Sequence, residues 1–299
     1  MKIFVTGGVG FVGGYLSRFL LERGHAVTAV GTRANQHLID HQNFRYISAD
    51  TTVPGDWQAA LAGVDAVFNL AGRNIFSRWS KRYKTLIYDS RILTTRNLVS
   101  ALPEDKDITL VSTSATGYYG DRGEALLSEN EPNGNDFLSG VSRDWEAEAF
   151  RAEEKGVRVV IARFGVVLGK DGGAMAKMLP AFRLCLGGPL GSGIQWFPWI
   201  HMDDILSAYL FVLDNQEITG PVNFCAPHPV RNRDLAKAMG RVLNRPAVLP
   251  GPAFMIKLFL GELGGVFLCS QRAVPQRLLE YGFNFKYTEI TDAIEDIVN

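Results

Sequence analysis

The run Thr6-Gly7-Gly8-Val9-Gly10-Phe11-Val12-Gly13-Gly14 sets glycines at 7, 10 and 13, between an apolar stretch and a helical one. A tight turn, a backbone bare enough to touch a diphosphate, and a close helix–strand contact each need a missing side chain; G-x-x-G-x-x-G supplies all three. The helix opening at Phe11 and Val12 adds free N–H groups and the positive end of its dipole. The run reads as a dinucleotide loop, with an ordinary glycine-rich turn as the plain alternative. The next apolar run, Ala26–Val30, ends in Gly31-Thr32-Arg33 and lacks the acid that binds ribose hydroxyls in an NAD site. A guanidinium suits a 2′-phosphate, so Thr32 and Arg33 point to NADP, against the plain reading of Arg33 as a surface arginine. Asp50 and Thr51, after the third run, either meet the adenine amino group or merely begin a turn with Thr52.

These positions need a scaffold that brings strand ends together. Apolar runs at Lys2–Thr6, Ala26–Val30, Phe44–Ser48, Ala66–Leu70, Thr109–Ser112 and Arg158–Arg163 predict buried strands. Amphipathic stretches at Phe11–Arg23, Trp57–Leu61, Lys84–Ala101 and Ser142–Lys155 predict helices between them. Such alternation specifies an α/β fold, a Rossmann-type doubly wound parallel sheet with a smaller C-terminal substrate lobe. The expected division is 1–168 for the dinucleotide domain, with strands from 196–225 returning to the sheet, and 169–299 for the lobe and a helical extension. Within the lobe, Met175–Leu186 and Asp203–Leu213 predict helices and Pro221–Cys225 a strand.

Composition excludes several classes. The 299 residues are 46% hydrophobic and carry 31 basic against 31 acidic side chains, too apolar for disorder and too neutral for a general nucleic-acid binder. Cys185, Cys225 and Cys269 lie far apart, with neither zinc nor disulfide spacing, which fits a reducing compartment. Lys257 and Glu262 interrupt the one long apolar segment, Pro252–Cys269, so a docked helix pair or a hydrophobic lid is expected, not a membrane span. No secretory h-region follows Met1-Lys2, and a cytoplasmic protein is expected.

Further segments carry a resemblance: Asn69-Leu70-Ala71-Gly72, Ser112-Thr113-Ser114, Tyr118-Tyr119-Gly120, Arg163-Phe164-Gly165-Val166-Val167-Leu168-Gly169 and Gln195-Trp196-Phe197-Pro198-Trp199-Ile200-His201-Met202-Asp203-Asp204. With Gly220-Pro221-Val222-Asn223-Phe224, Ala226-Pro227 and Gly282-Phe283-Asn284-Phe285, nearly the whole chain resembles an atypical, epimerase-like extended short-chain dehydrogenase/reductase. The resemblance implies an NADP site that also includes Leu70, Ala71, Gly72 and Val166; Arg73, directly after Gly72, is placed to approach the cofactor phosphates or a substrate anion, or is simply exposed. It further implies a small substrate domain and a homodimer through the helices at Lys84–Ala101 and Ser142–Lys155.

The chemistry departs from the family pattern. Ordinary members place tyrosine and lysine at i and i+4 on one helix face. The register of Gly140-x-Ser142 puts Ser139 at the tyrosine position and Arg143 at the lysine position, and Arg91 stands where many relatives have a helix-side asparagine. Arg143 keeps donors for ribose hydroxyls, but an aliphatic hydroxyl replaces a phenol poorly. Ser114 matches the carbonyl-polarising serine, or caps a turn. Tyr118 and Tyr119 are the candidate substitute proton donors, or packed tyrosines. Trp79, Trp196 and Trp199 line a sugar pocket or belong to the core. His201, Asp203 and Asp204 lack a further ligand to complete a metal site, so a structural hydrogen bond is expected of His201. Trp145, Glu146 and Glu148 read as packing and a solvated face.

Three functions remain open at this level. One is NADP-dependent oxidation, reduction or epimerisation of a small carbonyl, alcohol or nucleotide sugar. The second is a non-catalytic NADP sensor. The third is a regulator that docks partners through the apolar tail Phe254–Leu268.

Overall fold

The computed structural model describes residues 1–299. Its first half runs β1 (Lys2–Thr6), α1 (Phe11–Glu22), β2 (Ala26–Gly31), β3 (Phe44–Ser48), β4 (Ala66–Asn69), α2 (Lys81–Ala101) and β5 (Thr109–Ala115). After a short β6 (Leu126–Leu127) come α3 (Phe137–Phe150), β7 (Arg158–Phe164), β8 (Val166–Leu168) and α4 (Gly173–Arg183). Next are β9 (Trp196–Phe197), β10 (Trp199–His201), α5 (Met202–Asp214), β11 (Gly220–Phe224), β12 (Val230–Arg231) and α6 (Asn232–Leu243). The chain closes with α7 (Ala253–Leu260), α8 (Glu262–Val266), β13 (Arg272–Ala273), α9 (Gln276–Glu280) and α10 (Ile290–Val298).

Seven strands form one sheet in the order β3-β2-β1-β4-β5-β7-β11, every neighbouring pair parallel. Strand order reverses at β1, which opens a crevice at the carboxyl ends of β1 and β4, where doubly wound sheets bind ligands. Alternation along β1 shows why the strands read as continuous apolar runs. Ile3 and Val5 pack on one face with Leu16 and Leu20 of α1 and Ile205 of α5; Phe4 packs on the other with Leu98 of α2 and Ala149 of α3. Both faces are covered, so both sets of side chains are apolar. A third cluster, around Trp199, joins α4, α6 and α10 into the lobe.

Helices α2 and α3 begin earlier than periodicity alone predicts. Ser80 and Asp136 are their N-caps, accepting from the backbone N–H of Tyr83 (3.1 Å) and Ser139 (2.9 Å), so the polar residues there start helices and do not continue loops. Among the strands expected to return to the main sheet from 196–225, only β11 does so. β9 pairs with β12, and β10 with β8. Pro198, which has no N–H to give a ladder, separates β9 from β10 and sends them to different partners. Within Pro252–Cys269 the apolar segment forms the helix pair α7–α8, broken at Gly261 by its φ of +61°. No helix is long and apolar enough to cross a membrane.

The C-terminal extension is tied to the body around His201. Its Nδ1 accepts from the N–H of Asp203 (3.1 Å), capping α5, while its ring lies 4.0 Å from that of Tyr287. Asp204 accepts from the N–H groups of Lys286 (2.7 Å) and Tyr287 (3.1 Å). His201 is therefore structural, as its sequence context indicates.

Burial pushes the His201 imidazole below its ordinary value, against the pull of Asp203 and Asp296. Only the neutral ring can accept at Nδ1. The unfolded chain takes up this proton near pH 6.5 and the folded chain lower, so this contribution to stability is lost as pH falls through that value. Burial pushes Asp204 up to about 6, a contribution of opposite sign. His201→Asn keeps a cap acceptor and removes the titration, leaving Asp204 in place. Between about pH 7.5 and 5.5 the variant should lose less melting temperature than the wild type in a calorimetric scan; equal losses would refute this account.

Candidate functional site

At the carboxyl end of β1, Gly7 adopts φ +68°, and a Cβ there would lie 3.2 Å from the backbone nitrogen of Ala71. A Cβ on Gly13 would lie 2.2 Å from the carbonyl oxygen of Gly7, a position no other residue can take without moving the loop. Gly10 donates its N–H to the same carbonyl (2.8 Å) and precedes α1 with no side-chain cap. The first turn of α1 has no acidic residue, so the N–H groups at Phe11 and Val12 face no competing anion. The ring of Phe11 lies against Gly169, Gly172 and Gly173, which anchors the helix start to the β8–α4 turn.

A buried polar chain holds the facing loop. The Thr6 hydroxyl donates to Asn69 Oδ1 (2.7 Å) and accepts from the N–H groups of Leu70 and Ala71 (both 3.1 Å). Asn69 Nδ2 donates to the hydroxyls of Thr95 (2.8 Å) and Ser112 (3.1 Å), and Trp145 Nε1 also donates to Thr95 (2.8 Å). Leu70, Ala71 and Gly72 are thus fixed above Gly7. Arg73 follows, exposed, its guanidinium 5.8 Å from the ring centre of Tyr83.

At the end of β2, Thr32 and Arg33 are exposed. The Tyr46 hydroxyl donates to the Arg33 carbonyl (2.9 Å), holding the backbone while the guanidinium forms no ion pair. Asp50 accepts from the Thr52 N–H (3.0 Å) and hydroxyl (2.7 Å), so it does begin a turn, and buried Thr51 bonds Thr94 (2.8 Å). Val166 is half-buried, its N–H donated to the Pro198 carbonyl (2.8 Å).

The hydroxyls proposed for chemistry differ sharply in their surroundings. Ser114 is buried and donates to Glu146 (2.6 Å), whose carboxylate also takes Nε (2.9 Å) and Nη2 (2.8 Å) of Arg163. Tyr119 is fully buried; it donates to Asn223 (2.6 Å), accepts from Arg163 Nη1 (3.1 Å), and burial holds its phenol above the ordinary value. Tyr118 is half-buried, with its ring face 3.6 Å from the Arg163 guanidinium and no internal partner for its hydroxyl. Its carbonyl is clamped by the N–H of Gly134 and the amide of Asn133 (both 2.8 Å). Arg143 turns outward and pairs with Asp144 (2.8 Å), and buried Ser139 donates to the Gly117 carbonyl (3.1 Å).

Several expectations need correcting. Glu146 does not belong to a solvated face: it is 5% exposed in a buried ion pair. The signal was Arg163 at the end of an otherwise apolar strand, since a charge carried into a core needs a partner. Trp199 is core, its Nε1 donated to the His228 carbonyl (3.0 Å). Trp196 lies beneath Arg231 (4.2 Å) and Arg272 (4.6 Å) and donates to Glu124 (3.0 Å). Trp79 meets Phe137 edge-on (5.2 Å). Phe267 after α8 stacks on Phe76 (6.0 Å) and Glu262 pairs with Lys84 (2.6 Å), contacts that dock the helix pair expected of Pro252–Cys269.

Two substitutions test this geometry. Glu146→Ala strands Arg163 and should cost about 3–5 kcal/mol in a denaturant melt; a loss below about 1 kcal/mol would show that the pair is not needed. Gly13→Ala should cost about 1–3 kcal/mol through overpacking and remove dinucleotide binding in a titration.

The comparisons with known proteins agree with this architecture. Residues 3–224 match the NAD dependent epimerase/dehydratase family, and residues 252–297 match a domain of unknown function, DUF1731. The Arabidopsis thaliana protein "Epimerase family protein SDR39U1 homolog, chloroplastic" is 41% identical, covering 100% of this chain and 87% of its own. Epimerase family protein YfhF of Bacillus subtilis is 35% identical, covering 100% and 98%. The crystal structure of human epimerase family protein SDR39U1 with NADPH superposes with a TM-score of 0.87 at 33% identity, covering 99% of both chains. A Bacillus cereus UDP-glucuronic acid 4-epimerase with NAD, 18% identical with a TM-score of 0.78, shares the fold. The chain belongs to the NAD dependent epimerase/dehydratase family, the extended short-chain dehydrogenase/reductases, and carries the DUF1731 extension at its C-terminal end.

Proposed function

We propose that the chain binds NADP and catalyses hydride transfer between its nicotinamide and a small carbonyl or alcohol, with Tyr118 moving the substrate proton. The glycine turn and the N–H groups at Phe11 and Val12 take the diphosphate, and Thr32 and Arg33 take the 2′-phosphate. Asp50, Thr51, Leu70, Ala71, Gly72, Arg73 and Val166 line the rest of the cofactor's path. The human relative solved with NADPH supports this choice of dinucleotide. Bound nicotinamide supplies or accepts the hydride; the protein's part is to orient the substrate and handle its proton. Epimerisation of a nucleotide sugar is the same exchange run in both directions, and the family's name supports it.

The observation that carries the reading is the contrast among three hydroxyls. The Ser114 hydroxyl donates its hydrogen bond to Glu146 and that of Tyr119 to Asn223, so neither is free to donate to a substrate. Tyr118 alone presents an uncommitted phenol, its ring fixed on Arg163 and its backbone clamped. A positioned acid of this kind contributes about 10²–10⁴-fold to rate. Arg143, turned to Asp144, leaves the ribose to other donors unless that pair opens.

A second reading, a non-catalytic NADP sensor, is favoured by the outward position of Arg143 and the commitment of Ser139 to Gly117. The two separate in one assay, NADPH oxidation against a panel of ketones, aldehydes and nucleotide sugars. Tyr118→Phe should lower kcat by at least about 10²-fold with NADPH affinity unchanged. Tyr119→Phe should instead lose stability. Tight NADPH binding without turnover on any member of the panel favours the sensor, and full turnover in Tyr118→Phe removes the tyrosine mechanism.

A further inference from the structure

Arg91 is an enclosed cation without an anion. Its Nη1 donates to two carbonyls, of Arg73 (3.1 Å) and of Ile87 (3.0 Å), and its guanidinium lies 5.2 Å from the ring centre of Trp145. Several other cations have acids, as Arg163 has Glu146, Arg96 has Glu148, Arg231 has Glu124 and Lys84 has Glu262, while unpaired Arg33 and Arg73 are exposed to solvent. Arg91 has none, and burial pulls its guanidinium down to about 10. A half-buried charge held only by carbonyl dipoles is partly desolvated without a counter-charge, and an arriving anion relieves that cost.

The free edge of this guanidinium has a direction. A Cβ on Gly72 would lie 3.1 Å from Cζ, 3.2 Å from Nη2 and 3.4 Å from Nε of Arg91. The edge carrying Nε and Nη2 therefore borders the bare backbone at Gly72, and neither nitrogen has a partner in the protein. Gly72 follows Ala71, whose backbone nitrogen is the atom nearest a Cβ on Gly7. Two adjacent donors on a planar fork match two oxygens of a phosphate.

We propose that Arg91 receives the diphosphate of the dinucleotide, supplying beside the cofactor a cation that Arg143 of α3, paired with Asp144, does not supply. This rests on the NADP reading above. Neutral ribose hydroxyls would leave the charge unbalanced. The 2′-phosphate is assigned to Arg33, after β2, whereas Arg91 borders the loop after β4, on the other side of β1. Strand order thus keeps the two arginines apart and gives each its own phosphate.

The test uses the full chain, NADPH, and 2′-AMP, which has the 2′-phosphate and no diphosphate. Arg91→Met should weaken NADPH binding by about tenfold or more by calorimetry, as expected for losing a charge-assisted pair of bonds. Displacement by 2′-AMP should stay within about twofold of wild type, and the melting temperature without ligand should not fall, since a half-buried charge without a counter-ion is removed. Arg33→Met should weaken 2′-AMP and NADPH together. Unchanged NADPH affinity in Arg91→Met overturns the proposal, and so does equal weakening of both ligands with a lowered melting temperature. Should Arg91→Met fail to fold, Arg91→Gln, which keeps a polar donor without the charge, carries the same expectations. A wild type that binds no NADPH sinks the cofactor reading itself, a result distinct from failure at Arg91 alone.

Discussion

The contact between Gly13 and the Gly7 carbonyl governs much of the molecule, because it lets α1 start directly against the end of β1. Backbone meets backbone there, with no room for a Cβ. On the opposite side, Thr6 and Asn69 lock the Leu70–Gly72 loop over the same turn by side-chain bonds whose partners reach Thr95, Ser112 and Trp145. One buried polar chain thus ties β1, β4, β5, α2 and α3 together at the carboxyl end of the sheet. Every group in it has a partner, which lets a polar network rigidify a core without a desolvation penalty left over. The crevice is stiff because its walls share these bonds.

Next to it stands the buried pair of Glu146 and Arg163. Such a pair contributes little net stability compared with an apolar replacement, but removing one partner is expensive. What it does here is positional. Glu146 accepts the hydrogen bond of the Ser114 hydroxyl, Arg163 donates to the Tyr119 oxygen, and the face of the guanidinium carries the ring of Tyr118. Two neighbouring tyrosines in sequence therefore have different environments, one locked inside with Asn223 and one at the cleft.

Much of the fold was legible because its causes are local. Runs buried on both faces give continuous apolar strands, and the Gly7, Gly10 and Gly13 spacing reports backbone clearances that no other residue type satisfies. The site was legible only as positions. Whether Ser114, Tyr119 or Arg143 is free to act depends on hydrogen bonds to Glu146, Asn223 and Asp144, and only the Arg143 partner is a sequence neighbour. The destination of β9 likewise depends on Pro198 and on β12, a partner far along the chain. Chemistry of this kind is written in long-range pairs, which periodicity does not report.

The C-terminal extension is built into the site and is no appendage. Asp204 holds the backbone at Lys286 and Tyr287, β13 pairs with β6, and Phe267 and Glu262 reach back to Phe76 and Lys84 beside the loop that follows β4. Helix α7 spans these anchors with no buried side chain; Phe254, Leu258 and Phe259 are all about two-thirds exposed or more. The wall is held by the Phe76–Phe267 stack, by buried Leu263 and by the bond from Gln195 Nε2 to the Phe267 carbonyl (3.2 Å) more than by the Lys84–Glu262 pair, because an exposed ion pair is worth about 0–1 kcal/mol.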